Sequence, residues 1–369
     1  MVSKNKNLAF TSCKLLIILL LITFSQIAYS QFFTGIKKIE KSFYIRPSTT
    51  LDISNKYGKI KISNWEYDSI RFSIDVIVKS QDTILVQELS KMVDFEFVET
   101  SYFLTAKTIY NTQDSKFFKD ISSPLNAFQN DIGVDYNIFL PKYINLKVSN
   151  KYGDVYIDDL FGSFDLNLSN GDLKANDLKG EVSIDLGFGK GSINSVSNGL
   201  VSLTYADMQI KQVEQLNLNT KYSKIQIQSA EVLKIQSKRD KYYINKCNHL
   251  YGETNFSDIF VRNLNNEISC NAKYGSINLE AIAKSFSMIN LISLNSDLNL
   301  FFKLGNSYDL EMTHKNINFT FPEKISNFKK KIIQSDLQQF KTTGYVGLPN
   351  TISKVRINAE NCNVVIHHK

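Results

Sequence analysis

Between Val155 and Leu279 apolar residues come in pairs, one polar residue apart, and the pairs return every 17 or 18 residues. A small residue opens each repeat: Gly153, Gly171, Gly189, Ala206, Ser223, Asp240, Ser257 and Gly275. Two positions later stand Val155, Leu173, Met208, Ile225, Ile259 and Ile277, and four positions later Ile157, Ile193, Ile210, Ile227, Ile244, Val261 and Leu279. In a strand those two positions share a side. Further apolar columns run through Leu160, Leu178, Val196 and Val213, and through Leu166, Ile184, Val201, Leu218 and Ile235. So short a repeat cannot bury its own apolar side, but coils stacked ~4.8 Å apart build a continuous core. The pattern predicts an all-β chain folded as a single-stranded β-solenoid, or β-helix.

The register extends outward with less regular spacing. Gly58 precedes Ile60 and Ile62, Ser296 precedes Leu298 and Leu300, and Cys362 precedes Val364 and Ile366. A turn at Lys315 would serve Ile317 and Phe319, and the 47-residue step from Lys315 to Cys362 reads as an insertion. From Ile36 to Leu146 strict alternation takes over, as in Ile70, Phe72, Ile74, Val76 and Val78, and the reading there is a lobe of antiparallel strands. Asp82 is placed to cap a helix over 83–92 whose apolar side is Leu85, Leu89 and Met92. Polar residues from Asn111 to Asp131 read as a loop. From Glu323 to Gln339, four lysines among Ile325, Phe328, Ile332, Ile333 and Leu337 suggest an amphipathic helix, covering the end of the stack or lying on an anionic membrane.

At the amino end, Lys4, Lys6 and Lys14 precede an apolar run from Leu15 to Ile22, and Ala28-Tyr29-Ser30 precedes Gln31. That is the layout of a signal peptide over 1–30, cleaved before Gln31, which implies an exported protein. The expected division is then a capping lobe over 31–146, the solenoid over 147–319, and a cap with the last coil over 320–369.

Three stretches carry a family resemblance: Leu140-Pro141-Lys142-Tyr143-Ile144-Asn145-Leu146, then Asn150-Lys151-Tyr152-Gly153-Asp154-Val155, then Gly171-Asp172-Leu173. With Gly344-Tyr345-Val346-Gly347 and Val355 to Cys362 near the end, the chain resembles the bacterial envelope family of candidate adhesins that includes the head GIN domain type. Cys362 stands where that family would have Gly. The resemblance spans roughly residues 37–369 and implies a stacked β fold on an exported protein, with no reaction attached; the expected location is the periplasm, the outer cell surface or the secreted fraction.

Removing the signal peptide takes away three lysines and no acids, lowering the net charge from +7 to +4. So mild a charge does not argue for nucleic acid. Three cysteines remain, and Cys247 and Cys270 fall on inward apolar columns, where cysteine packs as a small hydrophobe. His249, His314, His367 and His368 fit no ligand spacing, and no cofactor or metal is implied. One position after the turns, Asp154 and Asp172 on adjacent coils form the nearest thing to a calcium site or acid pair, set within a row of alternating charges.

The more distinctive columns stand just before the turns. One holds Tyr57, Tyr152, Asn170, Phe188, Tyr205, Tyr222, Arg239, Phe256 and Tyr274, and beside it are Lys56, Lys151, Lys221, Lys238 and Lys273. The structural reading has these rings stacking on one another to stabilise the coil edge. The functional reading has Tyr152, Tyr205, Tyr222 and Tyr274 taking sugar rings, while Lys151, Lys221 and Lys273 take acidic groups of a glycan or envelope protein. Two functions follow, from different classes: a non-enzymatic binding or structural module of the cell envelope, or a polysaccharide-degrading lyase or hydrolase on a β-helix. Clustered carboxylates in a cleft would mark the second.

Overall fold

The computed structural model describes residues 32–111, 130–336 and 338–368. The expected signal peptide, the expected cleavage site before Gln31, and nearly all of the polar segment 111–131 lie outside the described residues.

The repeat folds as its spacing demands. Asp207–Lys221 pairs in parallel with Lys224–Lys238, setting Met208 against Ile225 and Leu218 against Ile235. Each coil has a leading face just after the turn and a trailing face after the far corner. Both faces send alternate residues inward, so Ile225, Ile227, Leu233 and Ile235 are all buried within one coil. The result is an all-β solenoid whose core is a column of aliphatic side chains between two parallel faces.

The turn explains why a small residue recurs. The residue before it has left-handed backbone in coil after coil, with φ of 55° at Asn170 and Phe188, 51° at Tyr205, 52° at Tyr222 and 62° at Arg239. This brings the next residue hard against the previous coil. A Cβ on Gly171 would lie 2.2 Å from the carbonyl oxygen of Gly153. Where the turn residue is Ser223, Asp240 or Ser257, its polar side chain is buried and makes interior hydrogen bonds. Asp240, 2% exposed, accepts from the backbone N–H groups of Ser223 and Lys238 and from the hydroxyls of Thr220 and Ser237.

Both ends of the stack depart from chain order. Thr50–Ser54 lies between Phe103–Tyr110 and Asn145–Asn150, parallel to both, and Ile60–Asn64 likewise lies between Asn130–Leu140 and Val155–Ile157. Ile60–Asn64 thus follows the coil register expected after Gly58, whereas Phe103–Tyr110 and Asn130–Leu140, expected in the antiparallel lobe, also extend the stack. Antiparallel strands follow outside them: Ser69–Ser80 pairs with Asn130–Leu140 and Phe33–Tyr44, and Val93–Glu99 pairs with Phe103–Tyr110. The helix forms at Thr83–Met92, with the Asp82 carboxylate accepting from the Ile84 N–H at 2.8 Å. Its buried side is Val86 and Leu89, with Leu85 and Met92 packed partly against the core.

At the other end Lys354–His368 is inserted between Met288–Phe302 and Tyr308–Thr320. The coil of Cys362 thus precedes in space the coil expected at Lys315. That coil turns at Asn316, with φ of 48°, and sets Ile317 against Cys362. Asn316 is the left-handed residue before the turn, so the turn residue itself is Ile317, two after the expected Lys315, a shift that leaves the inward side unchanged.

The amphipathic helix expected over 323–339 does not form. A single 3-10 turn, Glu323–Ile325, leads into the strand Ser326–Gln334, which makes a hairpin with Gln339–Val346. The hairpin in turn pairs antiparallel with Tyr308–Thr320. The exposed strand edge there satisfies backbone N–H and C=O groups that a helix lying across it would leave unpaired. Phe328, Lys330 and Ile332 alternate as a strand requires.

Candidate functional site

The left-handed residue of each turn points its side chain out along one corner, and the constant register places successive side chains one strand spacing apart. Aromatic residues in this column must therefore stack. Phe188 and Tyr205 are 5.3 Å apart and 11° from parallel, Tyr205 and Tyr222 4.7 Å and 2°, and Phe256 and Tyr274 4.6 Å and 6°. Arg239 fills the break, its guanidinium 5.3 Å from the ring of Tyr222 and 5.6 Å from that of Phe256, and it donates to the Tyr222 hydroxyl. Six coils thus carry one continuous pile of planar groups, exposed along its edge, with Tyr205 51% and Tyr274 45% accessible.

Not every residue singled out from the sequence joins this pile. Tyr205, Tyr222 and Tyr274 belong to it, whereas Tyr152 stacks on Tyr57 at 5.5 Å, separated from Phe188 by the Asn170 coil. Lys221 lies over Tyr222 at 5.6 Å and Lys151 over Tyr152 at 5.4 Å. Lys273 is exposed but not over a ring. Arg239 has the largest role that the sequence reading did not assign: it stood in the aromatic column, and stacking between rings is what a guanidinium does there.

The pile uses its ring faces internally. Between Phe188 and Tyr274 each inner face meets a neighbouring ring or guanidinium, so a ligand meets ring edges, hydroxyls and lysines.

Open ring faces occur next to the corner, on the leading face. The third position after the turn gives Gln209, Gln226, Tyr243 and Phe260, and the fifth gives Lys211, Gln228, Asn245 and Arg262. Together they line a shallow groove of about 490 Å³. Tyr243 and Phe260 are 6.2 Å apart and tilted by 47°, leaving their faces uncovered by each other. Lys224, between corner and groove, sits over Tyr243 at 5.5 Å. The outward columns already contained this signal, in a Gln-Gln-Tyr-Phe run at a fixed offset.

The carboxylate row is occupied by backbone. Asp154 accepts from the Asp172 N–H at 3.0 Å, and Asp172 from the Lys190 N–H at 2.8 Å, so each ties one coil to the next. The second oxygen of Asp154 takes the Tyr156 hydroxyl at 2.9 Å, which raises the pKa of that phenol. Among the described residues no group of three His, Cys, Asp or Glu side chains is placed to hold a metal ion. His249, Glu267 and Cys247 approach one another, but the thiol donates to the His249 backbone carbonyl rather than the ring, and burial pushes its pKa up to about 12. A thiol so held is no nucleophile. No helix among the described residues is long and apolar enough to cross a membrane.

No protein-family model matches the sequence, and no curated protein matches it either. Among solved structures, the chain is similar to a candidate adhesin from Parabacteroides distasonis, at 12% identity over 72% of this chain and 97% of that one, with a TM-score of 0.38. It is also similar to a candidate cell adhesion protein from Clostridium sporogenes, at 11% identity over 90% and 100%, with a TM-score of 0.18. A candidate adhesin from Bacteroides fragilis has 11% identity over 90% and 97%, with a TM-score of 0.23. Superpositions this loose leave the fold resting on this chain's own strand register.

Proposed function

We propose that the chain is an exported, non-enzymatic binding module of the bacterial cell envelope, of adhesin type, and that its ligand is an acidic glycan held along the aromatic corner and the adjoining groove. The observation that carries the reading is the continuous surface from Tyr222 through Lys224 to Tyr243. Four residues of strand span ~13 Å, enough to set lysines at the corner beside open ring faces in the groove. Sugar rings would lie on Tyr243 and Phe260, amides of Gln209, Gln226 and Gln228 would bond hydroxyls, and Lys221, Lys224 and Lys238 would meet carboxylates or sulfates. The polysaccharide-degrading alternative asks for free carboxylates in a cleft; the groove lining contains none, and in the separate cleft of about 520 Å³ that gathers Asp75, Asp135 and Asp158, Asp135 and Asp158 accept from the backbone N–H groups of Lys59 and Asn64.

The test is binding of the mature protein to an array of acidic and neutral glycans. Replacing Lys151, Lys221 and Lys273 by Glu is expected to weaken binding to acidic glycans, and wild-type binding is expected to fade with salt, because exposed charges are screened over ~8–10 Å. Tyr243→Ala is expected to weaken binding without an earlier melt. Unchanged glycan binding in both variants would leave the corner as a structural edge.

A further inference from the structure

The two faces of the solenoid end at different heights. Among the described residues, the last strand on the leading face is 317–320, paired on one side with 362–365 and with no strand on the other. The trailing face continues for two more strands, Gln339–Val346 and then Ser326–Gln334. Its register carries the core-facing side outward: Leu310, Met312 and His314, all buried, stand against Gly344, Thr342 and Phe340, and these against Phe328, Lys330 and Ile332. Those last three therefore point into the space that an extra leading-face strand would close. Phe328 is half covered by Phe321 at 5.0 Å, while Ile332 is 58% exposed and Lys330 is exposed with its ammonium 3.9 Å from the Phe340 ring centroid.

We propose that this step is a docking site for a β-strand of another polypeptide, one that carries a carboxylate where it passes Lys330 and apolar residues on either side of it. The edge at 317–320 offers backbone hydrogen bonds to an added strand, and Phe328 and Ile332 offer alternate side-chain contacts. The shape alone would also suit a second copy, since each two-strand overhang would cover the other's shortfall. Lys330 decides against that. Closing two copies on each other would shut two inward lysines into one interior, and like charges there are unfavourable without a counterion. The same lysine selects an acidic strand, and Lys324, Lys329 and Lys331 around it add charge of the same sign.

The probe is a synthetic peptide of about ten residues, alternating Val and Thr with one central Glu, and its counterpart with central Lys, titrated onto the mature protein. The Glu peptide is expected to bind at least about tenfold more tightly than the Lys peptide, and Lys330→Glu, whose site is exposed, is expected to reverse that order. Lys330→Leu removes the inward charge and is expected to convert the monomer to a dimer in sedimentation velocity. No binding of the Glu peptide, an unchanged preference in Lys330→Glu, or a Lys330→Leu protein that stays monomeric would each overturn the proposal. The corner variant with Lys151, Lys221 and Lys273 replaced is expected to keep peptide binding, so this result stands apart from glycan binding.

Discussion

The rings of Tyr205 and Tyr222 lie 4.7 Å apart and 2° from parallel, on two residues that both have left-handed backbone. That backbone is unfavourable for any residue with a Cβ, by roughly 1–2 kcal/mol, so the stack must supply compensating attraction. Tyr222 has three such contacts, with Tyr205, Arg239 and Lys221. Tyr222→Ala loses them and keeps the backbone cost, so it is expected to destabilise by ~1–3 kcal/mol. Tyr222→Gly loses the same contacts but relieves the backbone, and is expected to melt later than Tyr222→Ala. The reverse order in thermal denaturation would show that the turn is not strained.

Inside the same coil, Ile225 is fully buried while Gln226 faces outward and is half-buried. Ile225→Ala leaves a cavity between two coils that cannot collapse independently, and is expected to cost ~2–5 kcal/mol. Gln226→Ala is expected to change stability by less than ~0.5 kcal/mol. Equal shifts of the urea midpoint for the two variants would contradict the register.

How much of this was legible in the sequence follows from how local each determinant is. The stacked coils were readable because the inward columns repeat at a fixed spacing, and the parallel pairing of Met208 with Ile225 needs nothing else. The corner column was readable for the same reason. The ends were not. Nothing local tells Val355 to sit between Ile289 and Leu310, because that choice compares two edges far apart in the chain. The segment around Phe328 failed for a related reason: its spacing fits a helix and a strand alike, and the open edge at Tyr308–Thr320 decided the matter. The ring faces available to a ligand depend on whether neighbours stack or tilt, which separates Tyr205 from Tyr243 and is a matter of side-chain orientation.

Asp240 concentrates the interior polar contacts of the mid-solenoid. Its two oxygens receive two backbone N–H groups and two hydroxyls, and Thr220 also bonds the buried Tyr242 hydroxyl. Asp240→Ala strands these donors away from water, and each such loss typically costs ~1–3 kcal/mol. The variant is expected to be more destabilised than Ser257→Ala, which removes a single hydroxyl in the next coil. Comparable melting of the two would mean that water replaces the carboxylate.

His314 makes the carboxyl-terminal end sensitive to acid. Its ring is buried against Thr342 at 3.0 Å, and burial, with the Lys330 charge second, lowers its pKa below the ordinary 6.5. A base held neutral in the folded state binds fewer protons than in the unfolded state once the pH drops below about 6.5, so stability is full above that value and falls on acidification. His368, lowered by burial, adds an effect of the same sign at the same end. Urea midpoints are therefore expected to fall between about pH 7.5 and pH 5.5, and to fall less in His314→Gln. Removing the neighbouring charge with Lys330→Gln, which keeps a polar group on the inward side, is expected to move the His314 titration, followed by its ring proton resonances, upward toward the ordinary value. A His314 that titrates unshifted in the wild type would contradict its burial, and one that does not respond to the loss of Lys330 would contradict the placement of that lysine on the inward side of the step.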